Sequence, residues 1–150
     1  MRGTGGNGSR LDSEASSVSK PIRLVPDIRE RTVNYAVRAI ELYRFVQRLR
    51  DGAGRIIAKQ YLRAATSIGA NVEEAHAGES RADFIHKFGI AQKETRECSY
   101  WLRLMADSKV VSSVRLAAIR RETEEIYAVL TAIIVNTKRK RKIQDRVAAD

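Results

Sequence analysis

Apolar residues recur every three or four positions through most of this chain, which is the spacing of one face of an α-helix. The clearest stretch lies in residues 84–105, where steps of four and three follow each other without interruption. A stripe of this kind is typical of a long helix that packs against near-parallel neighbours. It consists of Phe84, Phe88, Ala91, Thr95, Cys98, Leu102 and Met105. Since only two prolines and nine glycines occur, the pattern predicts an all-α protein.

The first two predicted helices are bounded by a capping residue and by glycines. Helix one should begin after Pro26, with Asp27 as its N-cap, and end at the "DGAG" sequence of residues 51–54. Helix two should run from about residue 55 to a left-handed C-cap at Gly78. The predicted core positions of helix one are Val33, Ala36, Val37, Ile40, Tyr43, Val46 and Leu49. Those of helix two are Ile57, Tyr61, Ala64, Ala65, Ile68, Val72 and Ala75.

The third and fourth predicted helices are followed by short connections or by the chain end. Ser80 and Asp83 form a capping box before helix three, which should reach about residue 107. Helix four should span about residues 113–138 and face inward with Leu116, Ile119, Ile126, Leu130 and Ile133. Short connections make neighbouring helices antiparallel, so we predict an antiparallel up-and-down four-helix bundle over residues 28–137. Residues 1–27 should be a disordered leader and residues 138–150 a basic tail.

A polar stripe accompanies the apolar stripe of helix two. If the chain turns at Gly78, Arg63 faces Glu94 on helix three, while Asn71 and Glu74 lie opposite the start of that helix. We interpret these side chains as a ladder of interhelical ion pairs and hydrogen bonds that fixes the helix register. The predicted ladder residues are Arg63, Asn71, Glu74, Lys87 and Glu94. A ligand site, or a contact across a subunit boundary, is the alternative use of the same groups.

The formal charge of +10 is concentrated near the end of the chain, where residues 138–150 carry six basic and two acidic side chains. A basic block of this kind is either a solvated tail or a phosphate-binding segment, with an acidic partner or a membrane surface as a third possibility. Further arginines should gather where helix one ends and helix four begins. The nucleic-acid-binding candidates are Arg44, Arg48, Arg50, Arg55, Arg115, Arg120, Arg121, Lys138, Arg139, Lys140, Arg141 and Lys142.

Enzyme and metal signatures are weak in this sequence. The pairs Glu73/His76 and Asp83/His86 resemble the steps of a carboxylate di-metal site, but both flank the Gly78 turn instead of lying mid-bundle. A phosphate loop, a zinc spacing and a catalytic serine context are missing. We therefore expect neither metal nor cofactor, no enzymatic activity, and an inert buried thiol at Cys98. The longest apolar run is too short for a membrane span, which favours a cytoplasmic protein without membrane contact.

Three segments resemble a known family: "SIGANVEEA", "ESRADFIHKFGIAQKETRE" and "YWLRL". They resemble the bacterial four helix bundle protein family, which includes proteins encoded in intervening sequences of 23S ribosomal RNA genes. The similarity covers about residues 31–107. It implies a four-helix protomer, a ring-shaped homopentamer and a role around RNA. Distant relatives are accessory proteins of diversity-generating retroelements, which hold a reverse transcriptase and its RNA. The resemblance implies no catalytic site.

Two functions remain open from the sequence. One is a non-enzymatic, oligomeric scaffold that binds nucleic acid, in the first place RNA, through phosphate contacts. The other is a protein-interaction adaptor or regulatory subunit, for example of a reverse transcriptase, whose charge only keeps it soluble. Both uses are compatible with a homo-oligomer, because helix three carries apolar residues outside its seam. These residues are Ile85, Ile90, Tyr100, Trp101 and Leu104.

Overall fold

The computed structural model describes residues 27–149, which form four α-helices and no strand. The helices are α1 (Ile28–Gln47), α2 (Gly52–Ala77), α3 (Arg81–Asp107) and α4 (Ser113–Val147). Each helix packs against the next in sequence, and α1 and α4 close the bundle with the loosest of the four pairings. The predicted all-α, up-and-down four-helix bundle is thus confirmed. The predicted leader lies outside the described residues, apart from Asp27.

Each helix begins at a short polar side chain that accepts a hydrogen bond from a backbone N–H of the first turn. Asp27 caps α1 and Asp51 caps α2, where its carboxylate accepts from the Gly54 N–H at 2.8 Å. Ser80 and Ser112 cap α3 and α4 in the same way. The "DGAG" sequence is therefore the cap and first turn of α2, not a break that separates two helices.

The core faces of α2, α3 and α4 largely follow the predicted stripes. On α3, Phe88 through Met105 of the predicted seam are buried, and only Phe84 remains partly exposed. On α2, Ile57 is the one predicted position that is only half-buried. On α4 the last buried position is Ile134 instead of Ile133, one residue farther along the helix.

The buried face of helix α1 matches the predicted one only in part. Val46 is buried as predicted, and Ala36, Ile40, Tyr43 and Leu49 are partly buried. Val33 and Val37 are about half exposed, at 52% and 50%, whereas Thr32 and Tyr35 are buried. The hydroxyl groups of the two buried residues are satisfied: Thr32 donates to the Arg29 carbonyl at 2.9 Å, and Tyr35 bonds within the core. Hydrogen-bonded hydroxyls can be buried at little cost, so apolar character alone misassigned these positions.

Two predicted helix ends are corrected by the structure. Gly78 is extended, with φ −71° and ψ 152°, so it is not a left-handed cap. A Cβ atom there would first meet the Asp83 carboxylate, so another residue at this position requires that flexible side chain to shift. Helix α4 does not end near residue 138 but continues to Val147. Lysine and arginine are good helix formers and neither glycine nor proline follows Ser113, so nothing stops the helix earlier.

No described helix has a stretch of the length and apolar character that spanning a bilayer requires.

Candidate nucleic-acid interface

One basic surface lies where α1 ends and α2 and α4 begin, and we call it the arginine end. Its side chains are exposed at Arg44, Arg48, Arg50, Arg55 and Arg115. The Arg115 guanidinium lies 3.9 Å from the centroid of the Phe45 ring, a cation–π contact that holds it at the mouth of the α1–α4 groove. Arg120 and Arg121 are also exposed, about 8 Å farther along α4.

Acidic residues at the arginine end are already engaged or few. The Asp51 carboxylate caps α2, and Asp107 pairs with Arg103 at 3.3 Å. Glu41 lines the α1–α4 groove together with Arg38 and Arg115. Within residues 27–149, none of the seven candidate arginines from Arg44 to Arg121 forms an ion pair. Among the described residues, the guanidinium groups of this surface are therefore free of direct contact with carboxylates.

The second basic surface is the C-terminal part of α4, from Lys138 to Lys142, which we call the lysine end. All five side chains are exposed, and Arg141 makes a 3.7 Å ion pair with Asp145 one turn later. Because the segment is helical, its charges point to several sides of the helix instead of moving on a loose tail.

The two basic surfaces lie at opposite ends of the bundle. The chain enters α2 at the arginine end and leaves it near the lysine end, and the 26 residues of α2 span about 39 Å. Lys138 and Lys142 therefore do not extend the patch around Arg48 and Arg55. The candidate cations thus form two separate groups, because α4 begins at the arginine end and extends to the other end of the bundle.

The predicted ladder between α2 and α3 consists of two separated ion-pair groups. Arg63 faces Glu94, with Nη1 and Oε2 3.6 Å apart, and also hydrogen-bonds Glu97. The hydrogen bond from Arg63 holds the pKa of Glu97 below its usual range, and the Trp101 indole N–H, 3.1 Å away, acts in the same direction. The Arg63 side chain is half exposed and that of Glu94 is 18% exposed, so this rung is partly buried.

The remaining ladder residues behave differently from one another. Lys87 Nζ lies 2.7 Å from Glu74 Oε2, which forms the second ion pair across the same two helices. Asn71 makes no cross-helix bond among the described residues; its amide donates to the Ser67 carbonyl one turn back, at 2.8 Å. In the middle of the stripe, Asn71 thus hydrogen-bonds within its own helix. Among the ladder residues, only Arg63 and Glu74, at the two ends of the stripe, contact α3.

Two ion-pair groups on α1 had no signal in the sequence pattern. Arg31 binds both Glu122 and Glu125 of α4, and only 17% of its side chain is exposed. Arg29 makes a two-point contact with Glu73 of α2, with distances of 3.1 and 2.7 Å. The hydrogen bonds from these arginines lower the pKa of Glu122 and of Glu73. These contacts could not be found from spacing, because they depend on which helices are neighbours.

The core holds a chain of hydroxyl groups and the only cysteine. Tyr61 donates to the Tyr35 oxygen at 3.1 Å, Tyr35 bonds Thr123 at 2.7 Å, and Thr123 donates to the Ile119 carbonyl. Cys98 is buried beside this chain, and burial raises the pKa of its thiol to about 12. The thiol is protonated at neutral pH and thus a poor nucleophile.

The histidine and carboxylate pairs near Gly78 serve local contacts. Glu73 is bound by Arg29, and His76 Nδ1 lies 2.8 Å from the Val72 carbonyl. Among residues 27–149, no three His, Cys, Asp or Glu side chains are grouped so that they could hold a metal ion.

Comparison with known proteins assigns the family. The family model for 23S rRNA-intervening sequence protein matches residues 30–132, which include most of the four helices. The chain belongs to the 23S rRNA-intervening sequence protein family. The family region contains Arg44 to Arg121 and ends at residue 132, so the lysine end lies outside the matched residues.

A solved structure supports this family assignment. A protein of unknown function from the S23 ribosomal protein family of Bacteroides thetaiotaomicron shares 38% sequence identity with this chain. The match covers 72% of this chain and 98% of that protein, with a TM-score of 0.67. No curated protein shows significant similarity to this chain.

Proposed function

We propose that this member of the 23S rRNA-intervening sequence protein family is a non-enzymatic, oligomeric scaffold of the cytoplasm that binds RNA through phosphate contacts. The single observation that carries the proposal is the arginine end, whose exposed guanidinium groups have no acidic partner among the described residues. Elsewhere on the bundle, arginines such as Arg29, Arg31 and Arg63 are paired with carboxylates. Unpaired, clustered cations of this kind favour a polyanion.

Phosphate contacts are the expected source of affinity. Aromatic residues make up only 6% of the chain, so stacking on many bases is not available. The lysine end adds a second group of cations on the same protomer, about 39 Å from the arginine end. An RNA that reaches both ends, or several protomers, gains avidity from repeated contacts. The family name supports 23S ribosomal RNA as the first RNA to test.

The oligomeric part of the proposal is supported by apolar side chains on the surface. Tyr100 is 57% exposed and Ile56 is 68% exposed, and the half-buried Trp101 packs against Tyr100 with ring centroids 4.9 Å apart. Contacts between α2 and α3 such as Arg63–Glu97 bring Ile56 level with this aromatic pair. A homo-oligomer would cover this surface, and the family resemblance favours five protomers. Light scattering at micromolar concentration tests the state: a mass of 16.8 kDa would contradict an oligomer.

A salt titration with matched variants tests RNA binding. Arg48→Gln/Arg55→Gln removes two charges at the arginine end, Lys138→Gln/Lys142→Gln removes two at the lysine end, and Lys93→Gln/Arg96→Gln removes two from α3 between them. Each end variant should flatten the slope of log affinity against log salt by roughly 0.7–0.9 for every phosphate that is no longer bound. The α3 variant should keep the wild-type slope. Equal slopes in all three variants would contradict the assignment of both ends.

The alternative function is an adaptor that binds another protein without RNA. It is favoured by the same exposed pair of Tyr100 and Trp101, since aromatic residues dominate the energetic centre of protein interfaces. If the protein is an adaptor, a partner protein is retained at high salt and is released by Tyr100→Ala, whereas RNA affinity is absent at low salt. Retention of RNA that disappears at high salt, with no change on Tyr100→Ala, would argue for the scaffold.

A further inference from the structure

Three helices line an open cleft at the end of the bundle where α2 turns into α3, and we call it the tip cleft. It has a volume of about 530 Å³, which lies within the range of roughly 300–1,000 Å³ seen for small-molecule sites. The end of α2, the start of α3 and the C-terminal half of α4 each contribute to it. Its principal side chains are His76, Glu79, Ser80, Arg81, Phe84, Thr137 and Lys140.

The inner wall of the tip cleft is aromatic. Phe84 is only half-buried, although it belongs to the apolar seam of α3. One face of its ring stacks on Phe88, with centroids 4.3 Å apart, and His76 meets it edge-on at 5.6 Å. A carbonyl oxygen only accepts, so the 2.8 Å contact with Val72 assigns the proton of neutral His76 to Nδ1. Nε2 is then left as an acceptor beside the aromatic wall.

The outer wall of the tip cleft is mainly basic. Arg81 is the first residue of α3, and its guanidinium donates to the Gln144 side chain on α4. This bond joins the start of α3 to α4 and fixes the position of one cation. Lys140 of α4 also lines the cleft and has no ion-pair partner within residues 27–149. Glu79 is the single carboxylate among the principal lining residues, and the Asp83 carboxylate lies against Gly78 at the edge of the lining.

An aromatic wall beside a pair of cations matches the two halves of a nucleotide. We propose that the tip cleft binds one unpaired nucleotide of a single-stranded RNA segment, with its base against Phe84 and its phosphate between Arg81 and Lys140. Aromatic side chains accept any base face, while basic side chains hold the adjoining backbone. This inference rests on the proposed RNA-binding function and adds to it a preference for unpaired RNA over duplex. The preference follows because a paired and stacked base cannot enter the cleft.

Four substitutions separate stacking from charge. Phe84→Leu removes the aromatic ring but keeps an apolar side chain, and Phe84→Tyr keeps the ring. Lys140→Gln removes one cation, with Lys93→Gln on α3 as a control of equal charge. Binding to a short single-stranded RNA and to a duplex of the same length is measured by fluorescence anisotropy at several salt concentrations. Thermal melting of every variant shows whether the bundle stays folded.

The expected results differ between the variants. Phe84→Leu should weaken single-strand binding by about five- to a hundredfold with an unchanged salt slope, because stacking on one base is worth that factor. Phe84→Tyr should bind like the wild type. Lys140→Gln should lower the affinity and flatten the slope by about 0.7, whereas Lys93→Gln should do neither. Binding of duplex RNA should be insensitive to Phe84→Leu.

A fluorescent base gives a second readout that does not depend on affinity. With 2-aminopurine in the single strand and protein at saturation, stacking should quench its emission in the wild type and in Phe84→Tyr, but not in Phe84→Leu. If Phe84→Leu leaves both single-strand affinity and quenching unchanged, the tip cleft is not the nucleotide site. The proposed RNA-binding function would remain intact. A wild-type protein that binds neither RNA form would overturn both.

Discussion

Arg31 on α1 and Glu122 on α4 form a two-point ion pair, with Nε–Oε1 and Nη2–Oε2 distances of 2.8 and 3.1 Å. The side chains are only 17% and 23% exposed, so this pair is better shielded from water than the other cross-helix pairs described above. It joins the two helices whose packing is otherwise the loosest in the bundle. The closure of the bundle thus depends in part on a polar contact.

Replacement of Arg31 by Met should lower the free energy of unfolding by about 1–3 kcal/mol, because it leaves two carboxylates near each other without their cation. Arg31→Met/Glu122→Leu should cost less than the sum of the single changes. Urea denaturation measures both. Arg103→Met is the control, since the Arg103–Asp107 pair is exposed and should contribute close to nothing. Strict additivity in the double variant would show that Arg31 and Glu122 are not coupled.

The same ion pair should give the bundle an acid-sensitive component. The Arg31 hydrogen bond lowers the pKa of Glu122 in the folded protein. The stabilisation by this pair is therefore complete above the unfolded-state pKa of about 4.3. It is lost as pH falls through the lower folded-state pKa. The stability difference between wild type and Arg31→Met should therefore shrink between pH 7 and pH 3. Denaturation curves at the two pH values test this, and a constant difference would contradict it.

Removal of Arg63 should destabilise the bundle more than removal of Glu94. Arg63 is half exposed and keeps Glu97 if Glu94 is removed, whereas Glu94 is 18% exposed and has no hydrogen bond to its Oε2 atom. Arg63→Ala should cost about 1 kcal/mol, less than a buried pair would, and Glu94→Ala should cost less than Arg63→Ala. Thermal denaturation of the two variants gives the order. A larger loss in Glu94→Ala would reverse this assignment.

In the buried chain of hydroxyl groups, loss of the Tyr35 hydroxyl should destabilise the protein more than loss of the Tyr61 hydroxyl. Tyr35→Phe leaves the Tyr61 hydroxyl without its acceptor inside the core and should cost about 1–3 kcal/mol. Tyr61→Phe removes only the first donor, and Tyr35 still bonds Thr123, so the loss should be smaller. Restoration of stability in Tyr35→Phe/Tyr61→Phe relative to Tyr35→Phe would support this account. Equal losses in the two single variants would contradict it.

Truncation of the chain after Thr137 tests whether the lysine end as a whole contributes to RNA binding. Residues 138–147 are helical but all exposed, so the melting temperature of the bundle should change little. RNA of any sequence should bind more weakly and with a flatter salt dependence, by roughly 0.7–0.9 for every phosphate that the shortened chain no longer binds. Unchanged affinity and slope would mean that this segment only keeps the protein soluble. Circular dichroism of the shortened chain should show less helix, because α4 loses its last turns.

Local features of the chain were predictable because helices are built from contacts three and four residues apart. The stripe from Phe88 to Met105, the caps at Asp27 and Ser80, and the short connections together specify an antiparallel bundle. The three segments that resemble the family could be recognised from the sequence for the same reason, since each lies within one helix or one hairpin. The pairing of Arg63 with Glu94 also followed, because one turn at Gly78 sets the register between α2 and α3.

Contacts between distant helices required the folded protein. Which side of α1 is buried depends on partners for the hydroxyls of Thr32 and Tyr35, and Tyr35 finds its partner 88 residues away in Thr123. The meeting of Arg31 with Glu122, the separation of the two basic ends, and the tip cleft around Phe84 depend likewise on the axial position of α4. Hydrophobic spacing reports the face of one helix, but it does not report which helix lies opposite or at what height. Only packing of the whole bundle fixes those two quantities.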